Sequence, residues 1–321
     1  MASLRDTRAL VDGAFTAGLT AVLGLLGMFI PPFLFLVSIL MPIPLAVLVR
    51  RRGLYTGLLS LVVTGLLLMV LYPNPLKVLL VFILFGPLGL VLGLLYKNYV
   101  APGHALVAAS VVSVIAYLTV TALTALIAGV NIEMLHAAIN ESLNKVFSMY
   151  QEAGNPVPAE QQELYRETIK ASILLLPATF IIHGVVSANL AYMVGSRVLK
   201  RLDYKVNTLP PFSQWRLPWY TIWGIILGLI FFLGGNHFAL DTVKIIGQNI
   251  LTVFLFIFFV IGLSVVAHYY KLVPFSKPFK TLVLILLIFY IIFMYPAIMV
   301  LGVLDTVFNL RRPIPEKGKL R

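Results

Sequence analysis

The strongest constraint on this chain is the recurrence of apolar blocks about twenty residues long. A helix of that length crosses a hydrocarbon layer of roughly 30 Å. Nine candidate spans follow, at 9–29, 33–49, 54–72, 75–96, 104–128, 171–196, 218–235, 246–269 and 281–304, each bounded by proline, glycine or charge. The sequence therefore predicts an all-α fold, a polytopic transmembrane helical bundle, in a chain of 321 residues that is 60% hydrophobic and 11% charged. The first block follows a short charged N-terminus, as a signal peptide would be placed. More membrane comes after it rather than a soluble domain, so it reads as a retained first span.

A formal charge of +12 raises the question of a nucleic-acid partner. Its distribution answers against one, because the cations form islands between apolar blocks. Arg50, Arg51 and Arg52 give +3; Arg197, Lys200, Arg201, Lys205 and Arg216, less Asp203, give +4; Lys271, Lys277 and Lys280 give +3. Segment 129–170 instead holds six glutamates against Lys145, Arg166 and Lys170. The positive-inside bias produces this pattern. With the Arg50–Arg52 loop in the cytoplasm, the N-terminus is cytoplasmic, the acidic segment outside, and the islands at 197–216 and 271–280 inside. The basic tail (Arg311, Arg312, Lys317, Lys319, Arg321, less Glu316) conflicts with a ninth full crossing. Either 281–310, interrupted by Pro296, is a re-entrant hairpin, or it is an ordinary kinked span with an exposed basic tail; the ordinary span is the expectation taken here.

Within the acidic segment, Leu135, Ile139, Leu143, Val146, Phe147 and Tyr150 recur at helical spacing. The break Gly154-Asn155-Pro156-Val157-Pro158 and a second helix follow. This predicts a helical hairpin on the outer face, either a lid or a packed loop. The polar stretch from Lys200 to Trp215, with Pro210-Pro211, divides a six-span core at 1–199 from a linker and C-terminal helices at 200–321.

Catalytic constellations are missing from this sequence. There is no cysteine, the histidines (His104, His136, His183, His237, His268) have no ligand spacing, no serine has a partnered base, and no P-loop occurs. No cofactor or metal is expected. Asp12 falls in the first turn of span 1 and Asp305 at the far end of the last span. The polar residues inside the spans are the candidate contacts. His183 and Ser187 share one face of span 6 and Asn189 lies on another, while Ser113, Tyr117, Thr121 and Thr124 line a face of span 5. Each either touches a ligand or makes an interhelical or back-bonded hydrogen bond. The turns Pro31-Pro32 and Tyr72-Pro73-Asn74-Pro75 are stiff enough to preorganise a pocket or to act as plain tight turns. His183, Tyr117 and Asn74 are the predicted ligand contacts. Glycines 86, 89 and 93 in span 4 permit close helix contact.

One stripe remains. Ala9, Gly13, Ala17 and Ala21, four apart and widened by Ala14 and Gly18, make a smooth face on span 1. Such a face invites close helix packing, from an internal span or a separate membrane protein.

This first span, its short outer loop and the arginine-bearing loop after span 2 resemble the S component of energy-coupling-factor transporters over residues 1–199. The resemblance implies that Ala9, Gly13, Ala17 and Ala21 dock on a transmembrane coupling protein driven by two ATPases, and that the outer loops and last three helices of the core enclose a vitamin or metal ion. Over its whole length, including "PPFSQWRLP" at 210–218 and "LGVLDTVFNLRR" at 301–312, the chain is similar to the uncharacterised YybS-like bacterial membrane proteins. Segment 129–170 and the spans after 200 have no counterpart in an ordinary S component. The expected function is a non-enzymatic, transport-related subunit that binds a small ligand from outside and docks on a membrane partner through its first helix. The alternative is a scaffold or interaction protein that keeps the fold without a substrate and contacts protein or anionic lipid through its basic linker. An intramembrane enzyme or flippase is disfavoured by the missing catalytic groups.

Overall fold

The computed structural model describes residues 4–129, 132–272, 274, 276–291 and 293–311. Among these residues the regular elements are all helical: α1 (Leu4–Phe29), α2 (Leu34–Leu40), α3 (Pro42–Arg52), α4 (Leu54–Leu71), α5 (Pro75–Lys97), α6 (Pro102–Ala128), α7 (Ile132–Glu152), α8 (Ala159–Leu174), α9 (Leu176–Arg201), α10 (Ile222–His237), α11 (Asp241–Leu272), α12 (Lys277–Tyr290) and α13 (Tyr295–Phe308). Helices α1, α4, α5, α6, α9 and α11, and α10 with its preceding turn, are long and apolar enough to cross a membrane. The chain is a multi-pass membrane protein. Tail residues Arg312, Lys317, Lys319 and Arg321 lie outside the described residues.

Helix boundaries follow local chemistry. Gly53 ends α3 and starts α4 at φ 97°, a left-handed conformation that a side chain resists. Pro75 and Pro102 occupy first-turn positions of α5 and α6, where a missing N–H costs nothing. The expected second span, 33–49, is divided at Met41 into α2 and α3. Pro42 and Pro44 remove N–H donors there, but Met41 keeps helical angles (φ −59°, ψ −37°), so the chain continues onward.

The described residues form two compact units, Met1–Ile173 with Thr179–Leu209, and Leu174–Ala178 with Pro210–Arg321. In the first unit the spans alternate in direction. One end gathers Asp12, Arg51 and Arg52 in ion pairs (Arg52 Nε to Asp12 Oδ2 2.6 Å, Arg51 to Oδ1 3.3 Å). Arg50, Tyr99 and Tyr204 lie at this end too. At the other end Lys77 donates to the Met28 carbonyl (3.3 Å) and the Tyr72 hydroxyl (3.0 Å), and Phe29 meets Tyr72 edge-on. The α5 glycines form the close seam that their spacing predicts. A Cβ on Gly89 would stand 2.9 Å from the Pro42 carbonyl and one on Gly93 2.8 Å from that of Ala46, so α3 lies almost backbone to backbone on α5. Helices α7 and α8 are tied together by Arg166, which donates to Asn140 (3.2 Å) and Asn144 (2.6 Å), and by Phe147 against Tyr165.

In the second unit, α11 and α13 cross where both are glycine. A Cβ on Gly262 would overlap the Ile298 carbonyl, and one on Gly302 the Phe258 carbonyl. The segment expected as one ninth crossing is broken at 291–294, giving two helices of 14 residues. At 1.5 Å per residue each is about 21 Å long, short of a ~30 Å layer. Both ends of this pair meet the same end of α11: Tyr270 donates to the Lys280 carbonyl (2.9 Å) and Tyr269 to that of Leu310 (3.0 Å). The described parts of segment 277–311 thus begin and finish at one end of α11 as two short helices, rather than as the one continuous helix of the expected span.

The hairpin is locked by a buried ion pair. Asp305 and Arg311, with side chains 2% and 1% exposed, meet at 2.6 Å. Arg311 also donates to the Ser213 carbonyl (3.0 Å), the Trp215 carbonyl (2.6 Å) and Ser264 Oγ (2.8 Å), so every guanidinium nitrogen is engaged. Ser264 in turn donates to the Phe212 carbonyl (2.6 Å). Asn249 closes a second gap: it accepts from the Ala178 N–H and donates to the Leu174 carbonyl, both at 2.8 Å, where the chain breaks before Pro177.

Candidate functional site

The polar residues of the first unit collect where α9 lies on α6. Small residues bring the two helices together: Ala105, Ala109, Ala188 and Ala191 are fully buried, and a Cβ on Gly184 would stand 3.0 Å from the Val114 backbone. Close backbones leave room for short polar side chains to bridge directly. Asn189 donates to Ser110 Oγ (3.2 Å) and to the Val185 carbonyl of its own helix (2.7 Å). Ser187 donates to the Ser38 carbonyl of α2 (3.3 Å).

Tyr117 and His183 come together as the sequence suggests, with ring centroids 6.3 Å apart and planes at 41°. Tyr117 is half-buried and His183 is exposed. One turn before Tyr117, the Ser113 hydroxyl is shielded and has no hydrogen-bond partner. Thr121 and Thr124 donate to carbonyls of their own helix, at 2.8 and 2.7 Å, and are satisfied without a neighbour. The seam therefore contains one shielded, unpaired hydroxyl and one exposed imidazole. Among the described residues no group of three or more His, Asp or Glu is placed to hold a metal ion.

Asn74 stands apart from this seam. Its Oδ1 accepts from the Lys77 N–H (3.0 Å) and caps the N-terminus of α5, which accounts for an asparagine before Pro75. The span 1 stripe is also accounted for internally. Ala17 is 0% and Ala21 3% exposed, Ser60 of α4 donates to the Gly13 carbonyl (2.9 Å), and Thr64 to that of Ala17 (3.4 Å). Ala9 is half-buried. At Gly13 and Ala17 the helix lying flush on the stripe is the chain's own α4, the internal-span alternative of the two. Between α1, α3, α4 and α5 the residual space beside Thr20 and Thr64 is about 10 Å³, near the minimum for a single water. A larger cleft of about 220 Å³ lies between α7 and α8, lined by Asn144, Phe147, Gln151 and Gln162 among others. Sequence reasoning missed Ser38 and Ser110, lone serines in apolar runs whose role depends on which helix faces them.

Residues 18–306 match the family described as "Predicted membrane protein (DUF2232)". The chain is 26% identical over 315 residues to "Uncharacterized protein YybS" of Bacillus subtilis (strain 168), covering 97% of this chain and all of that protein. No solved structure matches.

Proposed function

We propose, for a chain that belongs to the DUF2232 family of predicted membrane proteins, a non-enzymatic, transport-related role in the bacterial cytoplasmic membrane, in which a small polar ligand is held at the seam between α6 and α9. The Tyr117–His183 pair beside the unpartnered Ser113 hydroxyl carries this reading. A polar group left unsatisfied in apolar surroundings costs about 1–3 kcal/mol, and a hydrogen-bonding ligand offsets that cost. With the arginine-bearing end of the first unit on the cytoplasmic side by the positive-inside rule, the ligand enters from the end where α7 follows α6.

The test is thermal unfolding of the purified protein in detergent against a panel of vitamins and divalent metals. A binding ligand at a hundredfold excess over Kd stabilises by about 2.7 kcal/mol. The expected pattern is a ligand that shifts the wild-type midpoint and shifts His183→Ala and Ser113→Ala far less. No shift with any ligand, or an equal shift in both variants, rejects the seam as the site.

The second reading is a membrane scaffold without a substrate. It is favoured by the α4-filled stripe and by the scant space between α1, α3, α4 and α5. Under that reading Ser113→Ala raises stability, because it removes an unsatisfied hydroxyl, and no small molecule shifts the midpoint.

A further inference from the structure

The arginine-bearing end of the first unit holds a group that ligand binding at the α6–α9 seam does not use. Arg50, in the last turn of α3, has its guanidinium between two tyrosine rings, 5.1 Å from the Tyr99 centroid and 5.5 Å from that of Tyr204. It donates to the Tyr99 hydroxyl at 2.8 Å, while its Nε is shielded and has no partner. Both rings are presented by left-handed backbone, Tyr99 at φ 51° and Asp203, just before Tyr204, at φ 62°. Asn207 fixes the two loops together by donating to the Tyr99 carbonyl at 2.7 Å. With Nη2 taken by Tyr99 and Nε shielded, Nη1 is the nitrogen left to donate a charge-assisted hydrogen bond to a phosphate oxygen.

The surrounding charge is unneutralised. Among the described residues the ion pairs at this end are those of Asp12 with Arg51 and Arg52. Arg50, Lys97, Arg197, Lys200, Arg201 and Lys205 outnumber the further acidic residues of this end of the chain, Asp203 and Asp6. Lys97 lies against the α3–α4 junction, where its Nζ would stand 3.3 Å from a Cβ on Gly53. Location selects the anion. Arg50 closes the α2–α3 crossing, Lys97 ends α5 and Arg201 ends α9, so these cations sit at the level where headgroups begin. Exposed Leu54, Tyr55, Tyr99 and Leu202 supply apolar surface beside them.

We propose that Arg50, stacked between Tyr99 and Tyr204, binds the phosphodiester of an anionic phospholipid in the adjoining leaflet, with Lys97 and Lys205 as supporting charges. Basic clusters beside membrane helices attract anionic lipid in this way, with each cation worth about fivefold in affinity.

The experiment uses the delipidated full chain in neutral detergent, titrated with mixed micelles of phosphatidylglycerol, with phosphatidylcholine micelles, or with inorganic phosphate. Binding is read by native mass spectrometry and by the unfolding midpoint. The expected result is saturable binding of phosphatidylglycerol, with little binding of phosphatidylcholine and none of free phosphate. Arg50→Met should weaken phosphatidylglycerol binding at least about fivefold, and Arg50→Lys, which keeps the charge but not the planar fork, should weaken it also. If Arg50→Met does not fold, the doubly exposed pair Lys97→Gln/Lys205→Gln carries the test, with a loss of about twentyfold expected. Equal binding of the two lipids, unchanged affinity in these variants, or free phosphate competing at equal concentration would each overturn the assignment.

Discussion

Removal of both partners of the Asp305–Arg311 pair should cost clearly less than the two single removals added together. The two groups meet at 2.6 Å with side chains almost wholly shielded, and Arg311 bridges Asp305, Ser264 and the carbonyls of Ser213 and Trp215. Two unit charges about 4 Å apart at an effective dielectric near 20 attract by about 4 kcal/mol, and desolvation of both ions cancels most of that. The intact pair therefore adds little net stability, but Asp305→Ala strands a buried guanidinium, and Arg311→Met strands a buried carboxylate and frees two carbonyls. Each single variant should lose about 3–5 kcal/mol. The double variant Asp305→Ala/Arg311→Met should lose clearly less than the sum, leaving a coupling of about 2–3 kcal/mol. Unfolding in mixed micelles with increasing denaturing detergent, followed by fluorescence around Trp215, measures all four corners of the cycle. Additive losses, or a single variant within about 1 kcal/mol of wild type, would refute the argument.

Three further outcomes are expected. Ala17→Leu should destabilise the isolated protein by about 1–3 kcal/mol, since the added atoms press on α4; unchanged stability would mean that the stripe is not filled from within. Asn74→Ala should cost about 1 kcal/mol in thermal unfolding through loss of the α5 cap, with no effect on ligand binding at the seam. Because the chain has no cysteine, single cysteines at Gln214, Phe238 and Lys317 allow clean labelling in sealed vesicles. Gln214→Cys and Lys317→Cys should react from one side and Phe238→Cys from the other; Lys317→Cys reacting with Phe238→Cys would reject the hairpin.

Much of the helical content was legible because lipid enforces it: length and apolarity nominate a span, and glycine spacing at Gly86, Gly89 and Gly93 marks a close seam before its partner is known. Partner identity was not legible. Ala17 and Ala21 announce that a helix packs there, and only the fold says that it is α4 through Ser60 and Thr64. Pro296 flagged the hairpin, but proline suits the first turn of a helix, so the break falls ahead of it, at 291–294. Asp305 and Arg311 were both visible, one as a span end and the other as tail charge. Their union depends on Asn309 turning left-handed at φ 51° and on carbonyls almost a hundred residues away. Tyr117 and His183 were legible as polar residues in apolar spans and Asn74 as a polar residue in a stiff turn, but the cap that Asn74 makes on α5 is visible only in the fold.

The crossing of α11 and α13 also sets what the C-terminal hairpin is free to do. Two main chains nested at Gly262 and Gly302 permit pivoting but block sliding, and the Arg311 clamp supplies a second fixed point that stops the pivot. Helix α13 must then travel with α11 as one piece. Helix α12 is fastened at its base to the same helix, α11, by the Tyr270 hydroxyl.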